Sequence, residues 1–174
     1  DVVFKNLAST TGGIMDEKTV SFFTSSDNIV LDKDMESAED LYTLSSNETF
    51  IDATSGISTD CKNTGNSSLK VVVKGQYGWI GYSPAIDTSK LYELSYYARS
   101  GANFTEIIPC VHYSDGEMMS IPNSILKPLV PGDAAFTKKS VAYKFTKPVE
   151  KIYFYAEPIS GTFYMDDLKL KEIG

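Results

Sequence analysis

The chain has 174 residues, 42% of them hydrophobic, enough for one compact domain with a sizeable core and too few for two comfortable ones, so residues 1–174 are expected to form a single unit. Lys and Arg number 16 against 23 Asp and Glu, a net charge of −7; phosphate backbones and anionic lipid both require a cationic face, so neither nucleic acid nor membrane is an expected partner. No apolar run approaches the roughly 20 residues of a membrane span, and a first residue Asp1 rather than Met leads to the expectation of a mature or excised soluble piece.

The first residues have turn or linker composition, as in Ser9-Thr10-Thr11-Gly12-Gly13, and residues 1–27 read as an N-terminal extension. Beyond them, short runs rich in Val, Ile, Tyr and Phe recur between clusters of Gly, Ser, Asn, Asp and Pro, with no long stretch of 3.6-residue period. Strands are expected over residues 19–24, 28–31, 68–74, 78–83, 91–100, 105–113, 139–145, 151–157 and 161–171. Gly116 after Ser114-Asp115 marks a hairpin-like turn, and the Pro-punctuated stretch 121–132 reads as a long surface loop. The pattern is all-β, a two-sheet antiparallel β-sandwich.

Alternation sorts the faces of these strands, because successive side chains point to opposite sides. In 68–74, Leu69, Val71 and Val73 make a core side. In 91–100, Tyr92, Leu94, Tyr96 and Ala98 share one side, and Glu93, Ser95, Tyr97 and Arg99, too polar for a core, share the other. For 105–113 the parity favours Ile107, Val111 and Tyr113 inward, with Cys110 and His112 outward. Along Lys-Ile-Tyr-Phe-Tyr-Ala-Glu at 151–157, Ile152, Phe154 and Ala156 look like core, whereas Tyr153, Tyr155 and Glu157 form a second face of aromatic plates beside a carboxylate. In the last strand, Asp166 shares its parity with Leu168 and Leu170, so it points inward and needs a partner there.

Little of this supports catalysis. Glycoside hydrolysis needs two carboxylates roughly 5 to 9.5 Å apart, and Glu157 has only Glu93 or Glu106 as plausible face partners. A Ser-His-Asp arrangement has only His112 to use and no nucleophile elbow around it. Cys61 and Cys110 fit no metal spacing and no CxxC motif, which leaves a disulfide or a pair of inert thiols.

The ordered set Met35-Glu36, Leu69 to Val71, Trp79-Ile80-Gly81, Tyr92 to Arg99 and Tyr164 to Asp167 resembles the carbohydrate-binding modules of families 4 and 22, galactose-binding-like jelly-roll sandwiches attached to xylanases and related glycanases. The resemblance covers residue 28 to the C-terminal end. Family 22 modules use the Trp of the Trp-x-Gly segment and a Tyr-x-Glu pair, matched here by Trp79 and Tyr155-Ala156-Glu157; an Arg that those modules carry early is replaced by Tyr42. The resemblance also implies a structural calcium held by Glu36 and Asp166 together with backbone carbonyls, oxygen ligands suited to a hard ion.

Sugar recognition needs rings that stack on the C–H faces of pyranoses and polar groups that fix hydroxyl directions. Trp79, Tyr97, Arg99, His112, Tyr153, Tyr155 and Glu157 meet that need and are the expected ligand-binding residues, on one concave sheet built from the strands of Tyr97, Arg99, Tyr155 and Glu157. The expected function is non-catalytic binding of a β-linked polysaccharide, xylan first, by a secreted or cell-surface monomeric module tethered to a glycoside hydrolase. The alternatives are an extracellular protein-interaction sandwich and a jelly-roll polysaccharide-degrading enzyme.

Overall fold

A computed structural model of the protein describes residues 2–4, 18–20, 29–40, 43–44, 52–74, 79–102, 106–122, 126, 128–157 and 160–174. Tyr42 and residues 21–24 of the first expected strand lie outside them. The strands are β1 (Val2–Phe4), β2 (Lys18–Val20), β3 (Ile29–Lys33), β4 (Thr43–Leu44), β5 (Gly56–Ser58), β6 (Ser68–Val73), β7 (Trp79–Tyr82), β8 (Tyr92–Ser100), β9 (Glu106–Tyr113), β10 (Met118–Ser120), β11 (Thr137–Tyr143), β12 (Val149–Glu157) and β13 (Gly161–Glu172), and among the described residues a 3-10 turn covers Ala38–Asp40. The short strands β1, β4, β5 and β10 escape the sequence reading, because two or three residues carry too little alternation to register.

Two antiparallel sheets face each other. One has five strands in the order β10-β9-β12-β7-β4, the other six in the order β11-β8-β13-β6-β5, with β3 added beside the C-terminal half of β13. In the N-terminal segment β1 pairs with β2. The core lies between the sheets and is built from the faces that alternation selects: Leu69, Val71 and Val73 of β6 and Tyr92, Leu94, Tyr96 and Ala98 of β8 meet Ile107 and Val111 of β9 and Ile152 and Phe154 of β12, all buried. Tyr96 and Phe154 meet edge to face across the sandwich, centroids 5.1 Å apart, a geometry that suits the ring quadrupoles.

Two irregularities change parity where function or packing requires it. In β13, Phe163 and Met165 are buried, and so are Asp166, Leu168 and Leu170. Strict alternation cannot bury both sets. The register on β8 shifts between Asp166 and Lys169, and Asp167 takes a left-handed φ of 48°, so a bulge turns the strand by one residue and brings Leu168 back to the core side; Asp166, opposite the outward Tyr97, does not point into the core as its parity with Leu168 and Leu170 led one to expect, and is buried instead beneath the loop of Asn63 and Thr64. A second register shift, between Val149 and Lys151 of β12, lets Val149 and Ile152 both pack on the core although they are three residues apart.

Candidate functional site: an aromatic groove on the five-stranded sheet

The outward face of the five-stranded sheet is set by the β9–β12 register, which places Tyr155 opposite Ile108, Tyr153 opposite Cys110 and Lys151 opposite His112. Directly paired residues project to the same side, so these six share one surface. At the sheet edge, β10 folds back on β9 and brings Met118 opposite His112 and Ser120 opposite Cys110. The turn between them closes through Gly116 at φ 89°, a conformation glycine adopts without strain, and through the amide of Glu117 donating to Asp115 Oδ1 at 3.1 Å. Lys147 pairs with both Asp115, at 2.7 Å, and Glu117, which ties this hairpin to the chain entering β12.

The result is a groove of about 450 Å³. Tyr153 and Tyr155 form its floor, ring centroids 6.3 Å apart and planes inclined by 33°. Met118 and Met119, 64% and 43% exposed, make an adaptable apolar lip, and the Tyr153 hydroxyl donates to Met118 Sδ at 3.7 Å. Burial, then the neighbouring Cys110, pushes the Tyr153 phenol up to about 12, so it is a neutral hydrogen-bonding hydroxyl at any physiological pH. Cys110 Sγ donates to Ser120 Oγ at 3.4 Å. His112 Nδ1 stands 3.5 Å from Glu150 Oε2, an ion pair whenever the ring is protonated. The described lining thus offers flat aromatic plates, an imidazole, a hydroxyl and an ammonium, and no carboxylate.

Of the residues expected from sequence, His112, Tyr153 and Tyr155 meet in this groove. The β7–β12 register sets Trp79 opposite Tyr155 along the backbone, and Glu157 occupies the strand position two beyond Tyr155, opposite Glu106; their side chains lie outside the described residues. Tyr97 and Arg99 do not join them. Their strand, β8, belongs to the six-stranded sheet, so the single concave sheet carrying Tyr97, Arg99, Tyr155 and Glu157 is not formed, and Tyr97 and Arg99 face the opposite side of the sandwich from Tyr153 and Tyr155. Arg99 is engaged there: its Nε donates to the Asp133 carbonyl at 2.7 Å and its guanidinium lies 5.6 Å from the Tyr164 ring centroid. Met118, Met119, Ser120 and Lys151 were missed; the available signal was the Gly116 turn, which folds Met118-Met119 back beside His112. Both cysteines are free thiols, Cys61 half-buried and Cys110 buried, so they form no disulfide.

Glu36 and Asp166 converge on one loop. Asp166, fully buried, accepts the amides of Asn63 at 2.8 Å and Thr64 at 3.2 Å on Oδ2 and that of Asp167 at 2.9 Å on Oδ1. Glu36 Oε1 accepts the amides of Asn66 at 2.8 Å and Ser67 at 3.2 Å. Gly65, at φ 59°, lies between: a Cβ there would fall 1.9 Å from Glu36 Oε1. The amides of Asn66 and Ser67 hold the Glu36 carboxyl below its ordinary range, whereas burial pushes Asp166 up. Neither carboxylate takes part in an ion pair among the described residues, and backbone amides are their main partners, so of the calcium expectation only the two carboxylate oxygen groups are in place. Among the described residues no group of three His, Cys, Asp or Glu stands together, so carbonyls would have to complete the shell.

No protein-family model matches the chain, and comparison with curated proteins finds no match. Solved structures do match. The CBM22-1 xylan-binding domain of Paenibacillus barcinonensis Xyn10C superposes with a TM-score of 0.60 at 12% identity, over 84% of this chain and 95% of that one. The CBM22-1–GH10 modules of the Clostridium thermocellum endo-1,4-beta-D-xylanase 10B, complexed with xylohexaose, give 0.62 at 16% identity, over 84% of this chain and 29% of that longer one. The C-terminal family 22 module of Clostridium thermocellum Xyn10B gives 0.56 at 14% identity, over 86% and 98%. With two antiparallel sheets and these neighbours, the chain has the β-sandwich fold of family 22 carbohydrate-binding modules, the fold that its residues resemble.

Proposed function

We propose that this chain is a non-catalytic carbohydrate-binding module that holds a β-linked plant polysaccharide, xylan first, in the groove of the five-stranded sheet. The observation that carries the reading is the tilted Tyr153–Tyr155 pair on the groove floor, two amphipathic plates with polar groups at their edges. Such rings stack on successive pyranoses, and the backbone register places Trp79 of β7 directly across the sheet from Tyr155. Each stack adds about 0.5–1.5 kcal/mol beyond burial, so affinities run from micromolar to millimolar and rise with chain length. In this reading the 174 residues act as one module, and in a larger secreted enzyme they would raise the local concentration of substrate at a tethered glycoside hydrolase.

The same reading gives Glu36 and Asp166 a structural calcium, supported by the convergence of both carboxylates on the loop 63–67 and the burial of Asp166. Calcium would hold the loop 63–67 against both carboxylates, remote from sugar. A second reading, a protein-interaction surface, draws on the exposure of Met118 and Met119 at the sheet edge.

Affinity electrophoresis in gels containing xylan, mixed-linkage glucan, mannan or no polysaccharide, run beside Tyr155→Ala, tests the main reading. Retardation by xylan alone, abolished in the variant, is expected. Free migration in every gel refutes it and favours the protein-interaction surface.

A further inference from the structure

Cys110 and His112 stand two positions apart on β9 and both line the groove, and β10 folds back so that Met118 stands opposite His112. Directly opposed side chains have Cβ atoms about 4.5–5.5 Å apart, and positions two apart along a strand are separated by about 7 Å. A thiol, an imidazole and a thioether therefore open onto one groove, with the Met119 thioether beside them. The Tyr153 hydroxyl spans the group: it donates to Met118 Sδ at 3.7 Å, and Tyr153 stands opposite Cys110 in register.

Two further contacts fit metal ligation. His112 Nδ1 lies 3.5 Å from Glu150 Oε2, so a proton on Nδ1 is held toward the carboxylate and the Nε2 lone pair is left for an ion; ligating imidazoles are oriented by an outer carboxylate in this way. Ser120 Oγ lies 3.4 Å from Cys110 Sγ, a hydroxyl placed to donate to the sulfur once the thiol has lost its proton. Met118 is exposed and unbranched, so its thioether swings from Tyr153 to an ion without disturbing the core.

We propose that Cys110, His112 and Met118 form a three-coordinate site for copper(I) at the β9–β10 side of the groove. The donor chemistry selects the metal. Thiolate and thioether are soft ligands and imidazole suits copper, whereas calcium and magnesium take oxygen. Zinc is disfavoured, because it takes four ligands and among the described residues no cluster of three His, Cys, Asp or Glu is present to supply them. Charge points the same way. Binding releases the Cys110 proton to solvent, so the thiolate and a monovalent ion cancel, while a divalent ion would leave a net positive charge beside Lys151, which stands opposite His112. The site does not depend on glycan binding.

Anaerobic titration of the protein into the coloured copper(I)–bicinchoninate complex tests the site. Loss of colour equivalent to one copper per chain is expected, both for the unmodified protein and for Cys61→Ser, which removes the other thiol. In the Cys61→Ser background, Met118→Leu and His112→Gln, both outside the packed core, are expected to weaken copper affinity about tenfold or more, and Glu150→Gln about tenfold. Retention of all the colour by bicinchoninate overturns the site. Loss of uptake in Cys61→Ser also overturns it, by putting the ion at Cys61, and so does uptake unaltered by Met118→Leu and His112→Gln, which reduces the site to a lone thiol.

Discussion

Lys139 gives the sharpest test of how the two sheets are held together. It lies on the inward face of β11 with Val141, its side chain fully buried, and pairs across the sandwich with Glu106, which is 16% exposed. Glu106 also accepts the amides of Ile107 at 2.9 Å and Leu129 at 3.4 Å, so one carboxylate joins both sheets and the loop preceding β11. Burial holds the Lys139 ammonium below its ordinary pKa, and the facing carboxylate opposes that shift. Removing one partner of a buried pair costs about 3–5 kcal/mol, mostly from the charge left behind. Because Glu106 would keep its two amide donors and some exposure, Lys139→Met should fall at the low end, about 3 kcal/mol, a large share of the 5–15 kcal/mol typical of a domain. Adding Glu106→Gln removes the stranded charge and keeps an acceptor for the amides, so the double variant should recover at least about 1 kcal/mol relative to additivity. Urea unfolding followed by far-UV circular dichroism reads both quantities. A single-variant loss under about 1 kcal/mol, or strict additivity, would refute the reasoning.

Four further outcomes are expected. Tyr96→Phe should leave stability unchanged or raise it by about 1 kcal/mol in the same assay, because the buried Tyr96 hydroxyl has no hydrogen-bond partner among the described residues. Gly65→Ala should lower stability by about 2 kcal/mol through its left-handed φ and the collision with Glu36, and a loss no larger than that of an exposed Gly→Ala elsewhere would contradict this. Asp52, held at about 2 by the Thr54 amide and Lys74, is depressed in the folded state, so its stabilisation is present above about pH 4 and lost as pH falls toward 2; Asp52→Asn should flatten that acid limb. Calcium should raise the melting temperature and EDTA reverse it, with the response absent in Asp166→Asn; equal melting with and without the ion would remove calcium from Glu36 and Asp166.

The strands and their inward and outward faces were legible because alternation is local: Leu69, Val71 and Val73, or Tyr92, Leu94, Tyr96 and Ala98, announce a buried side within one segment, and all are buried. The parity that set Asp166 with Leu168 and Leu170 failed, because the bulge that follows Asp166 changes parity and leaves it opposite the outward Tyr97, and such a bulge is not legible in the sequence. Alternation separates inside from outside, but in a sandwich both sheets have an outside, and nothing local says which one a strand joins. Hence Tyr97 and Arg99 looked equivalent to Tyr153 and Tyr155 on paper, while the hydrogen-bonded order puts β8 in one sheet and β12 in the other. The lip of Met118 and Met119 and the turn of Lys151 into the groove likewise depend on a hairpin and a bulge, features of pairing between distant segments. Residue pattern determined which side of each strand meets water; only long-range pairing decided which outward side chains share a surface.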